Sequence, residues 1–410
     1  MTTEGYFYII IGILAFDFVL DRVLEYINDK NWSDKIPDIM KDYYDQEKYT
    51  KSQKYHQEHG RLDAWSSSIS FLLTMIVFVS GLIGQFSDFI LSYYSSPFIG
   101  SLIFFGVLMI VNDMISLPFS VYSTFVIEEK YGFNKTSPAT FVMDKIKGYL
   151  VGGIIGAGIL WAIIFIFENY ADHFWYLAWA VITIFMLFMN MFYVDLILPL
   201  FNKLKPLEDG ELRQAIEDYS KKVGFSLKNI YIIDGSKRST KSNAFFSGIG
   251  PKKTIVLYDT LIEKHSTEEL VAVLAHEVGH YKKKHTLLGL FLGILQTGLT
   301  LFILNLFITE PKISYALGAE NHTFYLGLVA FSVLYSPISE IMGIISSVIS
   351  RKNEYEADAF AKETYDGEAL GTALKKLSVD NLSNLYPHPV YVFVHYSHPP
   401  VLKRLEALDK

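Results

Sequence analysis

The chain has 410 residues and no cysteine, which excludes disulfide bonds, cysteine-ligated zinc and a thiol nucleophile. Hydrophobic residues make up 51% of the chain, a proportion typical of a membrane protein. The formal net charge of −7 gives no basis for expecting a nucleic-acid partner.

Seven stretches are long and apolar enough to span a bilayer. The first is not a signal peptide, because no positive charge precedes it and Asp17 interrupts its apolar run. The predicted spans are residues 6–27, 66–94, 98–127, 149–168, 175–201, 285–307 and 324–349.

Lysine and arginine are distributed unequally between the loops that join these spans. The loop 28–61 holds seven of them and the loop after the third span holds four, whereas the short links 95–97 and 169–174 hold none. The positive-inside rule therefore predicts an N-terminus outside the cell and a C-terminus in the cytoplasm.

Several predicted spans contain charged side chains. Because an isolated charge in hydrocarbon is costly, each is expected to face the protein interior or a wet cavity. Mutual pairing, such as Arg22 with Asp17 or Asp21, is an equally good explanation. The charged residues are Asp17, Asp21, Arg22, Asp113, Asp195 and Glu340.

Four parts follow from this pattern: spans one to five (1–201), a cytoplasmic insert (202–284), spans six and seven (285–350) and a cytoplasmic tail (351–410). The insert has the only sizeable soluble composition between spans. Its residue pattern predicts a helix and a small sheet. The expected fold class is therefore an all-α membrane protein with a small α/β insert. Its predicted elements are a helix at 208–223, strands at 229–234 and 254–259, and a turn at 248–253.

An edge strand of this sheet could hold an extended peptide by main-chain hydrogen bonds. Residues 243–247, which read Asn-Ala-Phe-Phe-Ser, are the candidate rim of that site.

Residues 276–280 read His-Glu-Val-Gly-His and lie in a predicted helix that begins near Ser266. At positions i and i+4, His276 and His280 leave one face of the helix and can share a zinc ion. Glu277 then lies beside the metal as a general base. Two solvated histidines on a helix face are the alternative explanation.

Catalytic zinc takes three protein ligands and keeps one position for water, so a third ligand is needed. Residues 353–359 read Asn-Glu-Tyr-Glu-Ala-Asp-Ala and predict a helix. On it, Glu354 and Asp358 share a face, which Glu356 does not. One acid could bind the metal while the other orients a histidine, and spacing does not decide between them.

The tail contains His395, His398 and Arg404, with Pro399-Pro400 fixing the backbone after His398. Histidine and arginine side chains could stabilise a tetrahedral oxyanion. A surface His-Pro turn is the commoner explanation of this pattern.

Taken together, these motifs resemble the type I CAAX prenyl proteases, integral-membrane zinc endopeptidases that also trim the yeast a-factor precursor and prelamin A. The resemblance covers essentially the whole chain. It is carried by the seven spans and by the motifs at 125–135, 242–248, 276–280, 351–360 and 395–400.

The resemblance implies roles that spacing left open. Glu354 would be the third zinc ligand, and Asp358 would support a ligand histidine. His398 and Arg404 would face the scissile carbonyl or the substrate's C-terminal end, and Asn243 would lie by the substrate-binding strand. The seven spans would form a barrel around a large chamber, with one zinc ion at its cytoplasmic end.

The resemblance also implies the reaction, which is cleavage C-terminal to a prenylated cysteine in a peptide or protein, with the bilayer as environment. The membrane would be the endoplasmic reticulum in a eukaryote. The short links and tail favour a bacterial source, in which the membrane would be the inner membrane. Two alternatives are a quality-control zinc protease with broader substrates and a non-enzymatic seven-span protein with structural zinc, whose fourth ligand would be His285 or His398.

Overall fold

The computed structural model describes residues 1–225, 227, 229–248 and 253–410 and consists mainly of α-helices with one small sheet. This agrees with the predicted class. The helices up to the insert are α1 (Thr3–Asp29), α2 (Gln46–Val79), α3 (Leu82–Tyr93), α4 (Pro97–Tyr122), α5 (Glu129–Tyr131), α6 (Pro138–Asn169), α7 (Phe174–Leu196) and α8 (Leu198–Phe201). A π-helical turn, Ser123–Glu128, joins α4 to α5.

The insert and the C-terminal half alternate short strands with helices before the last two long helices. The strands are β1 (Leu204–Pro206), β2 (Asn229–Ile233), β3 (Ala244–Ser247) and β4 (Thr254–Tyr258). The helices are α9 (Glu211–Lys222), α10 (Asp259–Lys264), α11 (Thr267–Lys282), α12 (His285–Phe307), α13 (Pro311–Ala316), α14 (Phe324–Thr364), α15 (Gly367–Asp380), α16 (Pro389–His395) and α17 (Val401–Leu408).

Six helical runs in the described part of the chain are long and apolar enough to cross a membrane. The first predicted span lies on α1, which is not among them, so the seven-span barrel stays a prediction. The six runs are Gln46–Val79, Pro97–Tyr131, Pro138–Asn169, Ala171–Phe201, His285–Phe307 and Phe324–Thr364.

The predicted second span, 66–94, is divided between α2 and α3. The chain turns at Gly81, whose φ of 70° lies in the left-handed region that glycine adopts without strain. Gly84 then packs directly on the backbone, since a Cβ there would lie 2.2 Å from the nitrogen of Ala319. The bend therefore follows from glycine, which the apolar pattern did not reveal.

Three of the charged side chains in the spans, Asp17, Arg22 and Asp113, have polar partners. Asp17 accepts a hydrogen bond from the Ser336 hydroxyl at 2.7 Å. Arg22 pairs with Glu25 at 2.8 Å, and not with the aspartates expected from the sequence. Lys145 reaches Asp113 at 2.5 Å.

The sheet of the insert has the strand order β1-β2-β4-β3. Its central pair, β2 and β4, is parallel, while β1 and β3 pair with them antiparallel at the two edges. The two predicted strands therefore form the centre, and the predicted rim is edge strand β3. The predicted turn at 248–253 falls largely on residues 249–252, which lie outside the described residues.

Helix α14 is continuous for 41 residues. It contains both the predicted seventh span and the acidic motif at 353–359, so the predicted boundary at 350 falls inside one helix. The four-part division itself stays a prediction. After α14, the tail packs on the loop between α1 and α2 and on the start of α2, where Met40 of the loop and Tyr49 of the helix are buried with Leu405.

Candidate active site

Helix α11 presents the two histidines from the core of the insert. Ser266 and Glu269 form a reciprocal capping box at its start, as the sequence predicts. Its opposite face is buried among α9, α14 and α15, with Val271 and Ala275 fully enclosed. This packing holds the helix rigidly, so His276 and His280 have a defined direction.

The ring nitrogens of the two histidines converge. The Nε2 atoms of His276 and His280 lie 3.1 Å apart, and His276 is 7% exposed. Glu354 completes the group, with its carboxylate 3.2 Å from His280 Nε2 and 3.5 Å from His276 Nε2. One ligand atom from each of the three residues lies within 4.8 Å of the others.

This group fits a metal ion. Glu354 is 3% exposed, yet its Oε2 makes no hydrogen bond within the described residues. Arg404 Nη1 lies 3.3 Å from this oxygen without forming a hydrogen bond, so the buried oxygen can still accept a further partner such as a metal ion. Two imidazole nitrogens and one carboxylate oxygen are also a donor set that catalytic zinc takes.

Asp358 and Arg404 lie behind His276. Asp358 is 2.8 Å from His276 Nδ1, the nitrogen opposite the one that faces His280. Arg404 donates two hydrogen bonds to Asp358, at 2.8 and 2.6 Å, and approaches Glu354 at 3.3 Å. The arginine therefore holds both acids of the motif.

The electrostatics of this cluster favour positive charge at His276. Burial lowers the pKa of the His276 imidazole, but hydrogen bonds with Asp358 and Glu354 outweigh burial and raise it to about 9. Burial also opposes the charge of Arg404, and its bonds to Asp358 raise its pKa above the usual value. The acids that produce these shifts attract a metal cation to the same position.

One cavity of about 500 Å³ brings the predicted site residues together. His398 lies at its open side, with 65% of its side chain exposed and its Nε2 3.4 Å from Glu354. Asp358 lies behind the wall, against His276. The predicted residues that line the cavity are Asn243, His276, Glu277, His280, Glu354, His398 and Arg404.

Strand β3 forms one side of this cavity. The Tyr258 amide donates to the Asn243 carbonyl at 3.1 Å, which sets the alternation of the β3–β4 ladder. Backbone groups of residues 243, 245 and 247 thus face β4, and those of Ala244 and Phe246 face the open edge. Among the described residues no strand pairs with that edge.

The loop after the third predicted span supports the approach to β3. Arg238 forms a bidentate pair with Asp144 at 2.7 and 2.8 Å, and Lys241 reaches Glu128 at 3.1 Å. Hydrogen bonds with Asp144 raise the pKa of Arg238 despite its burial. These pairs fix the segment that leads into Asn243, and charge spacing in the sequence did not reveal them.

Two further residues touch the site. His285 Nδ1 is 3.1 Å from His280 Nδ1, and His285 Nε2 is 3.1 Å from Glu356. His285 thus contacts Nδ1 of His280, on the side of the ring away from the metal-facing Nε2. In this position His285 cannot be a fourth ligand. The only sequence signal for it is its place five residues after His280.

Two family models together match most of the chain. Residues 26–203 match the family model "CAAX prenyl protease N-terminal, five membrane helices", and residues 206–410 match peptidase family M48. CAAX prenyl protease 1 of Saccharomyces cerevisiae is 33% identical over 98% of this chain and 94% of its own length. The human CAAX prenyl protease 1 homolog is 31% identical over 91% of this chain and 88% of its own.

A solved structure shows the same fold over its whole length. The crystal structure of S. mikatae Ste24p matches with a TM-score of 0.93 at 31% identity, covering 99% of both chains. A peptidase-family match over the site and a membrane-helix match before it leave the non-enzymatic alternative without support. The chain belongs to the CAAX prenyl protease 1 family and is an integral-membrane zinc metalloendopeptidase.

Proposed function

We propose that this enzyme binds one zinc ion through His276, His280 and Glu354. It cleaves proteins on the C-terminal side of a prenylated cysteine. The observation that carries the proposal is the convergence of these three side chains beside Glu277 and an open strand edge. The ion, when bound, would supply Lewis-acid activation of a water nucleophile and of the scissile carbonyl.

Glu277 is the proposed general base. It follows His276 directly, lines the same cavity and is only partly buried, so its carboxylate can reach a water molecule there. It takes the proton of the attacking water and returns it to the leaving amine.

The substrate binds as an added strand on β3. The outward N–H and C=O groups of Ala244 and Phe246 would pair with the peptide backbone and lay it across the cavity. Asn243 precedes these residues, and its side-chain oxygen accepts from the Ala244 amide at 2.8 Å. A carbonyl of the bound peptide would replace this oxygen as the acceptor. Strand addition holds any extended peptide, so selectivity has to come from the surrounding side chains.

His398 and Arg404 would act at the carbonyl or at the substrate's C-terminal end. His398 is exposed at the cavity mouth, where its Nδ1 contacts only its neighbour Ser397 at 2.9 Å and its Nε2 lies 3.4 Å from Glu354, on the cavity side. Arg404, in contrast, is 11% exposed and bonded to Asp358. We therefore assign His398 the closer contact with substrate. Arg404 contributes positive charge and holds Asp358 against His276.

We also propose the finer membrane arrangement. Helix α1 joins the six candidate spans in a barrel around a chamber, and it packs on α2, α13 and α14. The distribution of lysine and arginine supports an outer N-terminus and a cytoplasmic zinc site. The membrane is that of the endoplasmic reticulum in a eukaryotic cell and the inner membrane in a bacterial one. The net charge of −7 supports the absence of a nucleic-acid partner.

A prenylated substrate is supported by the names of the relatives, which are CAAX prenyl proteases. The test uses the purified chain with a farnesylated CAAX peptide and its unprenylated twin, with and without a zinc chelator, read by mass spectrometry. Chelator-sensitive cleavage after the lipidated cysteine is expected. Equal cleavage of both peptides would overturn the requirement for prenylation and indicate broader substrates.

The role of Glu277 has its own variant. Glu277→Gln should keep one zinc per chain and lose about 10²- to 10⁴-fold in turnover, the usual contribution of a general base. Glu268→Gln, an exposed change in the first turn of the same helix, is the matched control. Full activity of Glu277→Gln would remove this residue from the mechanism.

A further inference from the structure

We infer that His285 and Glu356 form a hydrogen-bonded relay that positions the metal-facing imidazole of His280. The inference rests on the proposed function, in which His280 binds zinc through Nε2. The relay runs from His280 Nδ1 to His285 Nδ1 at 3.1 Å and from His285 Nε2 to Glu356 at 3.1 Å. Both residues position His280, and neither is proposed to bind the metal.

The placement of hydrogens follows from the chemistry of the three groups. A neutral imidazole that binds metal through Nε2 carries its hydrogen on Nδ1, so His280 is a donor toward His285. His285 must then accept at Nδ1 and carry its own hydrogen on Nε2. That hydrogen points at Glu356, whose carboxylate accepts only. Every donor in the relay thus meets an acceptor, and only one tautomer of each histidine fits.

The two metal-facing histidines are held in different ways. Asp358 holds His276 directly and is 2% exposed. His280 is held through a second imidazole, and the relay ends at Glu356, whose side chain is 40% exposed. Partners of this kind fix the ring orientation and raise the basicity of a metal ligand. Without His285, the Nδ1–H of His280 would lose this acceptor.

The turn between α11 and α12 brings His285 to this position. Lys284 has a φ of 63°, in the left-handed region that costs a residue with a side chain about 1–2 kcal/mol. This conformation ends α11 and starts α12 at His285, whose ring folds back toward His280. His285 is 7% exposed, so the strained turn encloses the imidazole instead of leaving it in solvent.

The relay also joins three helices at one point. His280 belongs to α11, His285 is the first residue of α12, and Glu356 lies on α14. The last two helices are candidate membrane spans. Lys352 approaches Glu356 at 3.7 Å from one turn earlier, and this exposed pair adds little to its orientation.

The experiment measures zinc affinity by chelator competition at fixed pH on the full-length enzyme in detergent. His285→Leu removes the acceptor while keeping an apolar bulk, and should weaken zinc binding by about 10- to 100-fold, the usual range for an outer partner of a metal ligand. His285→Asn keeps an oxygen near the position of Nδ1 and should restore most of the affinity. Glu356→Ala should weaken binding less than His285→Leu.

His265→Leu is the matched control for loss of a buried imidazole. His265 has the same exposed fraction, 7%, and contacts the Leu261 carbonyl instead of a site residue. It should leave zinc affinity unchanged. The rescue by asparagine is the readout that a purely structural role of His285 would not produce.

The outcomes separate the relay from the proposed function. Wild-type affinity in both His285→Leu and Glu356→Ala would overturn the relay, provided that Glu354→Ala has lost zinc. If Glu354→Ala binds zinc like the wild type, the proposed ligand set itself fails. Should His285→Leu not fold, Glu356→Ala and His285→Asn decide. The first changes a side chain that is 40% exposed, and the second keeps a polar side chain with an acceptor near the position of Nδ1.

Discussion

Gly279 controls how closely the histidine helix approaches the acidic helix. A Cβ added there would lie 3.1 Å from both the Cα and the carbonyl oxygen of Ala357, and 3.2 Å from the Cβ of Phe360. Carbon atoms make their best contact at about 3.5–4.0 Å, so Gly279→Ala must move α11 and α14 apart by about 0.4 Å or more. Alanine has a helix propensity about 1 kcal/mol more favourable than that of glycine. This gain offsets part of the loss of stability, but it does not prevent the displacement of the two helices.

That displacement acts on the metal ligands, because the histidines lie on α11 and Glu354 lies on α14. Metal–ligand distances in proteins hold to about ±0.2 Å, which is less than the required movement. We expect Gly279→Ala to weaken zinc binding by about 10-fold or more, on the scale of other changes around metal ligands. Peptide cleavage at limiting zinc should fall in proportion.

The assay is chelator competition for zinc, followed by cleavage of the farnesylated peptide at saturating zinc. Gly343→Ala is the control, because it lies on α14 and a Cβ there meets nothing within 4 Å. Zinc affinity and cleavage equal to wild type in Gly279→Ala would refute the reasoning, since the helix contact would then not determine the ligand geometry.

Two further changes test the partners of the metal site and the peptide site. Asp358→Asn should weaken zinc binding by about 10- to 100-fold. The reason is that the amide presents a donor to Arg404, where the carboxylate accepted two hydrogen bonds. Unchanged affinity in the chelator assay would mean that Asp358 does not support His276. Ala244→Pro removes one outward N–H of β3, so KM should rise by about fivefold for the loss of about 1 kcal/mol of hydrogen bonding while zinc content stays constant. An unchanged KM, measured with the same peptide, would place the substrate away from this edge.

Much of the site was accessible from the sequence because its residues lie on regular elements. The capping pattern at Ser266 and the spacing of His276 and His280 predicted the helix and its metal-facing side. The apolar runs at 229–234 and 254–259 predicted the two central strands, since buried parallel strands read as continuous apolar segments. These signals are local, and in these segments the local preference agrees with the tertiary fold.

The rest depended on contacts between elements that are distant in sequence. Residues 243–247 were predicted as the rim of the sheet, but the pairing of β3 with β4 is a contact that no local pattern contains. Glu356 lies on a different face from Glu354, so its contact with His285 follows from the angle between α12 and α14, which no periodicity contains. The break at Gly81 was likewise hidden, because a run of apolar residues looks the same whether it is one helix or two.

The same contacts explain why this site can be rigid although its residues come from separate segments. Glu354 and Asp358 lie on the extension of a candidate span, His285 starts another, and Arg404 comes from α17 in the tail. Each segment contributes one charged or hydrogen-bonded contact that would be costly to leave unmade in a buried place. If these residues bind zinc as proposed, a ligand geometry that tolerates about 0.2 Å ties the insert, the tail and two spans to one relative position.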